Sequence, residues 1–96
     1  MSTRVEHDTA GSRFVAFLDD ERAGFTEYSL TDGVMTMPHT VTEPRFEGHG
    51  VGSAVVRTAL DHAREQGLRV RPLCWFVAGW IDRHPDYADL LVRTDS

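Results

Sequence analysis

The chain has 96 residues, 41% apolar and 26% charged, the makeup of one globular domain, because a chain this short buries only about 60–65% of its unfolded surface and closes a single core. Its apolar runs, such as Phe14 to Leu18, fall far short of the roughly 20 residues that cross a bilayer, so no membrane partner is expected. Fifteen acidic residues against ten basic ones give a formal charge of −5, which argues against a nucleic-acid partner; all ten basic residues are arginine, so lysine catalysis is excluded.

The first residues, Met1-Ser2-Thr3-Arg4, lack the apolar stretch of a secretory leader, and a cytoplasmic location is the expectation. Arg4 to Thr9 reads as an edge strand closed by Ala10-Gly11-Ser12. Phe14 to Leu18 is a strand ended by the acidic turn Asp19-Asp20-Glu21, and Ala23 to Thr31, rich in aromatic and hydroxyl side chains, is the next. Asp32-Gly33 supplies a two-residue hairpin turn, from which Val34 to Thr42 returns as a strand.

After Pro44 the pattern changes. Ser53 to Gln66 is predicted helical, with Val55, Ala59, Ala63 and Val56, Leu60 at helical spacing and Gly67 as the C-terminal cap. Leu68 to Leu73 returns to strand, Trp75 to Arg83 is a second helix, and Asp86 to Leu91 a last helical turn. The order predicts an α/β fold: a mixed sheet with antiparallel N-terminal strands and a parallel β-α-β crossover, all within one domain spanning 1–96.

The segment Glu47-Gly48-His49-Gly50-Val51-Gly52-Ser53 carries the clearest chemistry. Alternate glycines let backbone approach a ligand, and amides at a helix start share the direction of the helix dipole, so the loop is suited to a phosphate. Its G-x-G-x-G spacing is not the dinucleotide fingerprint, and no Walker lysine follows. A tight turn that merely allows close packing uses the same glycines.

This loop, continued by Ser53-Ala54-Val55-Val56, resembles motif A of the GNAT superfamily of acyl-CoA-dependent N-acyltransferases, Q/R-x-x-G-x-G/A. Together with His39-Thr40 before it, Pro72-Leu73-Cys74 after the next strand, and Arg83-His84-Pro85-Asp86-Tyr87, it is similar to the small single-domain GNAT-like acetyltransferases. The resemblance implies acetyl-CoA as cosubstrate, its pyrophosphate on Gly48, His49, Gly50, Val51, Gly52 and Ser53, and an acyl group in the gap between two splayed parallel strands, here Val34 to Thr42 and Leu68 to Cys74. Two positions depart from the family. Glu47 stands where Gln or Arg is usual, with Arg45 as a source of compensating charge. The helix segment Gly79-Trp80-Ile81-Asp82 lacks the tyrosine that often protonates the departing thiolate.

Acetyl transfer to an amine needs a polarised carbonyl, a deprotonated amine, an accepted thiolate and aligned reactants. Period-two alternation puts Met35, Met37, His39 and Val41 on one strand face, and His39 is the natural general base. Cys74, the single cysteine, excludes an internal disulfide; it lies before a helix start, as proton donor to the thiolate or as a covalent acetyl carrier. His7, His49, His62 and His84 show no zinc spacing, and no metal is expected. Asp61, Glu65, Asp82 and Asp86 read as solvated helix faces, and Phe46, Trp75 and Trp80 as core or cleft wall. The reading is an N-acetyltransferase acting on a small-molecule or protein amine; a non-catalytic acyl-CoA-binding or partner-binding module is the rival.

Overall fold

The structure, a computed structural model, describes residues 2–92. They form β1 Thr3–Asp8, β2 Arg13–Leu18, β3 Glu21–Glu27, β4 Ser29–Thr31, β5 Val34–Met37, β6 Thr40–Thr42, α1 Val51–Glu65, β7 Arg69–Pro72 and α2 Trp75–Arg83, with 3₁₀ turns at Pro44–Phe46 and Pro85–Leu90. No helix among them is long and apolar enough to cross a membrane.

The turns arise where the sequence places them. Asp19 and Asp20 take φ of 50° and 70°, and Asp32 and Gly33 take 52° and 78°, the left-handed pair that a two-residue hairpin requires. The strands between them differ from the sequence expectation. Ala23 to Thr31 is not one strand but β3 and β4, broken at Tyr28, and Val34 to Thr42 is β5 and β6, broken at Pro38-His39. Both arms of one hairpin therefore fracture at the same level.

Each pair of halves joins a different sheet. One sheet has the order β1-β2-β3-β6, all antiparallel; the other is β4-β5-β7, in which β5 and β7 run parallel. Pro38 explains the break on the second arm: without an N–H it cannot continue a ladder on both sides. The expected splay is thus present, since β5 pairs with β7 from Val34 to Met37 while β6 turns away to β3.

Helix α1 lies against both sheets and ties them together. Val55, Val56, Ala59, Leu60 and Ala63 are buried along one face, in one core cluster with Met35 and Val70 of the smaller sheet and Phe14 and Ala16 of the larger. Full burial of a side chain such as Leu60 contributes about 1.5–3 kcal/mol. The helix starts at Val51, two residues before the predicted start, so the end of the glycine loop is already its first turn. Gly67, at φ 70°, follows its end.

The C-terminal segment clamps α1 from outside. Trp80 Nε1 donates to Ser53 Oγ (2.8 Å), Tyr87 Oη donates to Asp61 Oδ1 (2.8 Å), and Arg64 forks onto both oxygens of Asp89 (2.9 and 3.0 Å). Asp61 is exposed, as expected of a solvated helix face, and also accepts from the C-terminal turn. That bond and burial raise the Tyr87 hydroxyl above the ordinary tyrosine range.

Candidate active site

The glycine loop leaves its backbone available. Gly48 and Gly50 take φ of 88° and 76°, and a Cβ on either would meet nothing within 4 Å. Gly50 is the N-cap of α1, no side chain caps that end, and the first turn holds no acidic residue. The first amides of a helix have no intrahelical acceptor, and here no side chain supplies one at the positive end of the dipole. Gly52 serves another purpose: a Cβ there would lie 2.8 Å from Phe76 Cζ, so its absence lets α2 close against the loop.

That closure shapes a cleft of about 430 Å³. Thr40 and Thr42 of β6 and Phe46 form one wall, Glu47 and the loop another, and Cys74, Trp75 and Phe76 the third. Cys74 is the N-cap residue of α2 and only 8% exposed. Its amide and that of Leu73 both donate to the Met37 carbonyl (3.1 Å each), and beyond this fork the strands part. Cys74 therefore stands where β7 ends and the gap opens.

His39 lies on the other side of the sheet. Thr26 pairs with Thr40, and their hydroxyls bond at 2.9 Å; Gly24 pairs with Thr42, and a Cβ on Gly24 would touch Val51 of α1. Residues 40 and 42 thus face α1, whereas 39 and 41 face away. The alternation read across Met35, Met37, His39 and Val41 fails at Pro38, because one unpaired residue exchanges the faces of everything after it. Met35 and Met37 are buried, Val41 is 38% exposed, and the His39 side chain is 55% exposed with Nε2 on Glu27 Oε1 at 2.5 Å.

Of the residues singled out from sequence, Gly48, Gly50, Val51, Gly52, Ser53 and Cys74 line one cleft. His49 is exposed and off its wall, and His39 stands at the strand break on the opposite face. Arg45 is held by Glu21 and lies over the ring of Phe46, so it does not neutralise Glu47, which lines the cleft. The sequence reading missed Thr42 and Phe76 as walls and Glu27 as the partner of His39. Pro38 was the signal for the first; nothing local marks the last two.

A mixed fold whose parallel strands part beside a glycine-started helix is that of the N-acyltransferases. The sequence pattern of the GCN5-related N-acetyltransferases matches residues 13–90, and the chain belongs to this family. It is 26% identical over 84 residues to Protein NATD1 of Bos taurus, covering 85% of this chain and 74% of that one. A GCN5-like protein of Staphylococcus aureus superposes with a TM-score of 0.73 at 19% identity, over 96% of this chain and 90% of the other. The PaiA N-acetyltransferase of Thermoplasma acidophilum, solved in complex with coenzyme A, superposes with a TM-score of 0.58 at 18% identity, over 62% of this chain. The match spans 38% of the length of PaiA.

Proposed function

We propose that the protein transfers acetyl from acetyl-CoA to a primary amine. The observation that carries the reading is the continuity of one cleft, from an uncapped, glycine-built helix start to a buried cysteine at the end of β7. Amides of Val51, Gly52 and Ser53 suit the pyrophosphate. Phe46, Phe76 and the threonine methyls suit the pantetheine arm, and the thioester reaches the gap beside Cys74.

The amine then approaches from the open face, where His39 stands on Glu27. In direct transfer, His39 takes a proton from the amine as its nitrogen bonds to the acetyl carbon; the carbon–sulfur bond breaks, and the coenzyme A thiolate takes a proton from Cys74. In the covalent variant Cys74 gives up its proton as its sulfur bonds to the acetyl carbon, the bond to the coenzyme A sulfur breaks, and coenzyme A leaves as its thiol with the proton that Cys74 released. The amine then displaces Cys74 from the S-acetyl group. The cleft position of Cys74 supports both routes, and the far-face position of His39 supports an acceptor arriving opposite the cosubstrate.

The test is incubation with acetyl-CoA and an amine library, following released thiol and the mass of the products. Turnover with an N-acetylated product is expected. Stabilisation by acetyl-CoA, about 2.7 kcal/mol at a hundred times its Kd, without turnover on any amine or peptide amine would favour a non-catalytic acyl-CoA-binding module. No stabilisation would remove both readings.

A further inference from the structure

Coenzyme A carries a third phosphate, on the 3′-oxygen of the ribose whose 5′-oxygen bears the pyrophosphate. A protein that holds the pyrophosphate on the first turn of α1 therefore meets the third phosphate nearby. A second groove, of about 530 Å³, begins at that turn: Gly50 and Ser53 line both it and the cleft, and it continues along α1 past Ala54, Arg57 and Thr58 under the start of β1. Arg57 is one turn beyond Ser53, about 6 Å along the axis, and side chains of a helix lean toward its N-terminus.

Arg57 is exposed and has no carboxylate within 4 Å among the described residues. Other arginines are engaged: Arg45 with Glu21, Arg64 with Asp89, Arg4 with Glu6 and Asp20, Arg13 with Asp8. Arg57 is nevertheless held in place. Its guanidinium lies 5.1 Å from the ring centre of Trp80, whose Nε1 bonds Ser53, and Nη1 lies 3.4 Å from Tyr87 Oη, itself fixed by Asp61. An arginine oriented by neutral rings rather than by an acid keeps its charge available to an anion.

We propose that Arg57 binds the 3′-phosphate of coenzyme A in this groove, with Tyr87 as a positioning residue. The inference rests on the reading of the cleft as an acyl-CoA site. It gives the C-terminal segment a purpose that its distance from the glycine loop in sequence conceals: Trp80 and Tyr87 hold the arginine over the turn that receives the ligand.

The experiment compares coenzyme A with 3′-dephospho-coenzyme A by titration calorimetry. The wild-type chain is expected to prefer coenzyme A by about tenfold, the low end for one charge-assisted contact at an exposed site, with the preference shrinking in high salt. Arg57→Gln abolishes the preference and leaves the affinity for the dephospho form unchanged; Arg57→Lys retains part of it, and Tyr87→Phe lowers it. Equal affinities for the two ligands in the wild type, or a preference that survives in Arg57→Gln, overturn the assignment while the acyl-CoA reading stands. Failure of the wild type to bind either ligand overturns both.

Discussion

The two ends of the cleft are built from different material. At the loop end the cleft is lined by backbone: Gly48 and Gly50 in left-handed conformations and the uncapped start of α1. At the gap end it is lined by side chains, Cys74 among them, with His39 and Glu27 paired on the far face, where β5 and β6 part company at Pro38. A backbone site tolerates exchange of its side chains and fails when the chain path changes. A side-chain site does the reverse. Substitutions at the two ends should therefore fail in different ways.

The largest effect is expected at Gly50. Valine there cannot hold φ at 76° without strain, and its branches would enter the space open to the pyrophosphate. Coenzyme A affinity should fall by about a hundredfold or more, since two charge-assisted amide bonds of about 1.5–3 kcal/mol each are lost. Circular dichroism must show a folded chain. Undiminished affinity in that folded variant would break the comparison at its backbone end.

Cys74 and His39 test the other end, where binding should survive and turnover should not. If Cys74 carries the acetyl group, acetyl-CoA without acceptor leaves an acetyl mass on Cys74, and Cys74→Ser lowers turnover by orders of magnitude. If it only protonates the thiolate, no acetyl-enzyme accumulates and the cost is about a hundredfold. A general base acts only while unprotonated, so the loss in His39→Ala should be largest toward the upper end of the pH range and shrink as pH falls, and Glu27→Gln should act in the same sense by a smaller factor. Full activity in folded Cys74→Ala and His39→Ala variants that still bind acetyl-CoA would leave the chemistry to positioning and backbone alone.

The backbone end was legible in the sequence, and the side-chain end only in part. Glycines 48, 50 and 52, the helix after them, the Asp19-Asp20 and Asp32-Gly33 turns and the edge strand β1 are local features, fixed by conformational preference and period. Cys74 was legible for the same reason, as the residue between a strand and a helix. Which sheet a strand joins is decided by residues far away in sequence. Tyr28 could be read as an ordinary strand position, and Pro38 signals an interruption without saying which sheet each half joins, until β3 is seen to pair with β6 and β5 with β7; with that went the facing of His39, Thr40 and Val41. The Tyr87–Asp61 bond, between helices that propensity treats separately, was out of reach for the same reason.

An acid loss of activity at His39 has to be separated from an acid loss of fold, and the separation predicts a smaller effect. His7 of β1 stacks on Phe14 at 4.1 Å, meets His62 of α1 edge-on at 4.6 Å, and bonds Tyr28 Oη at 2.6 Å. Burial, then the neighbouring His62, pushes the His7 imidazole below its ordinary range against a smaller opposing pull from Asp8. The unfolded chain therefore binds the proton first. Stability is full above the unfolded value of about 6.5 and declines as pH falls through it. Thermal melts from about pH 7.5 to 5.5 should lose a few degrees, and His7→Gln should flatten that slope without altering the pH profile of His39→Ala. A slope unchanged in His7→Gln would place the acid sensitivity elsewhere.

The smallest effect belongs to Glu47, the one place where a side chain intrudes on the backbone end. Glu47 lines the cleft beside the loop, and Arg45, two residues before it, is held by Glu21. If the carboxylate faces the bound pyrophosphate, Glu47→Gln relieves a repulsion of about 1 kcal/mol at contact distance in water, so affinity for coenzyme A should tighten by at most about fivefold at low salt. At 1 M salt, where the Debye length is about 3 Å, the gain should vanish. A gain that persists at high salt would mark lost packing or a changed loop rather than charge. No gain at any salt would mean that Glu47 turns to water, and the loop then holds its ligand through backbone alone, as the contrast between the two ends requires.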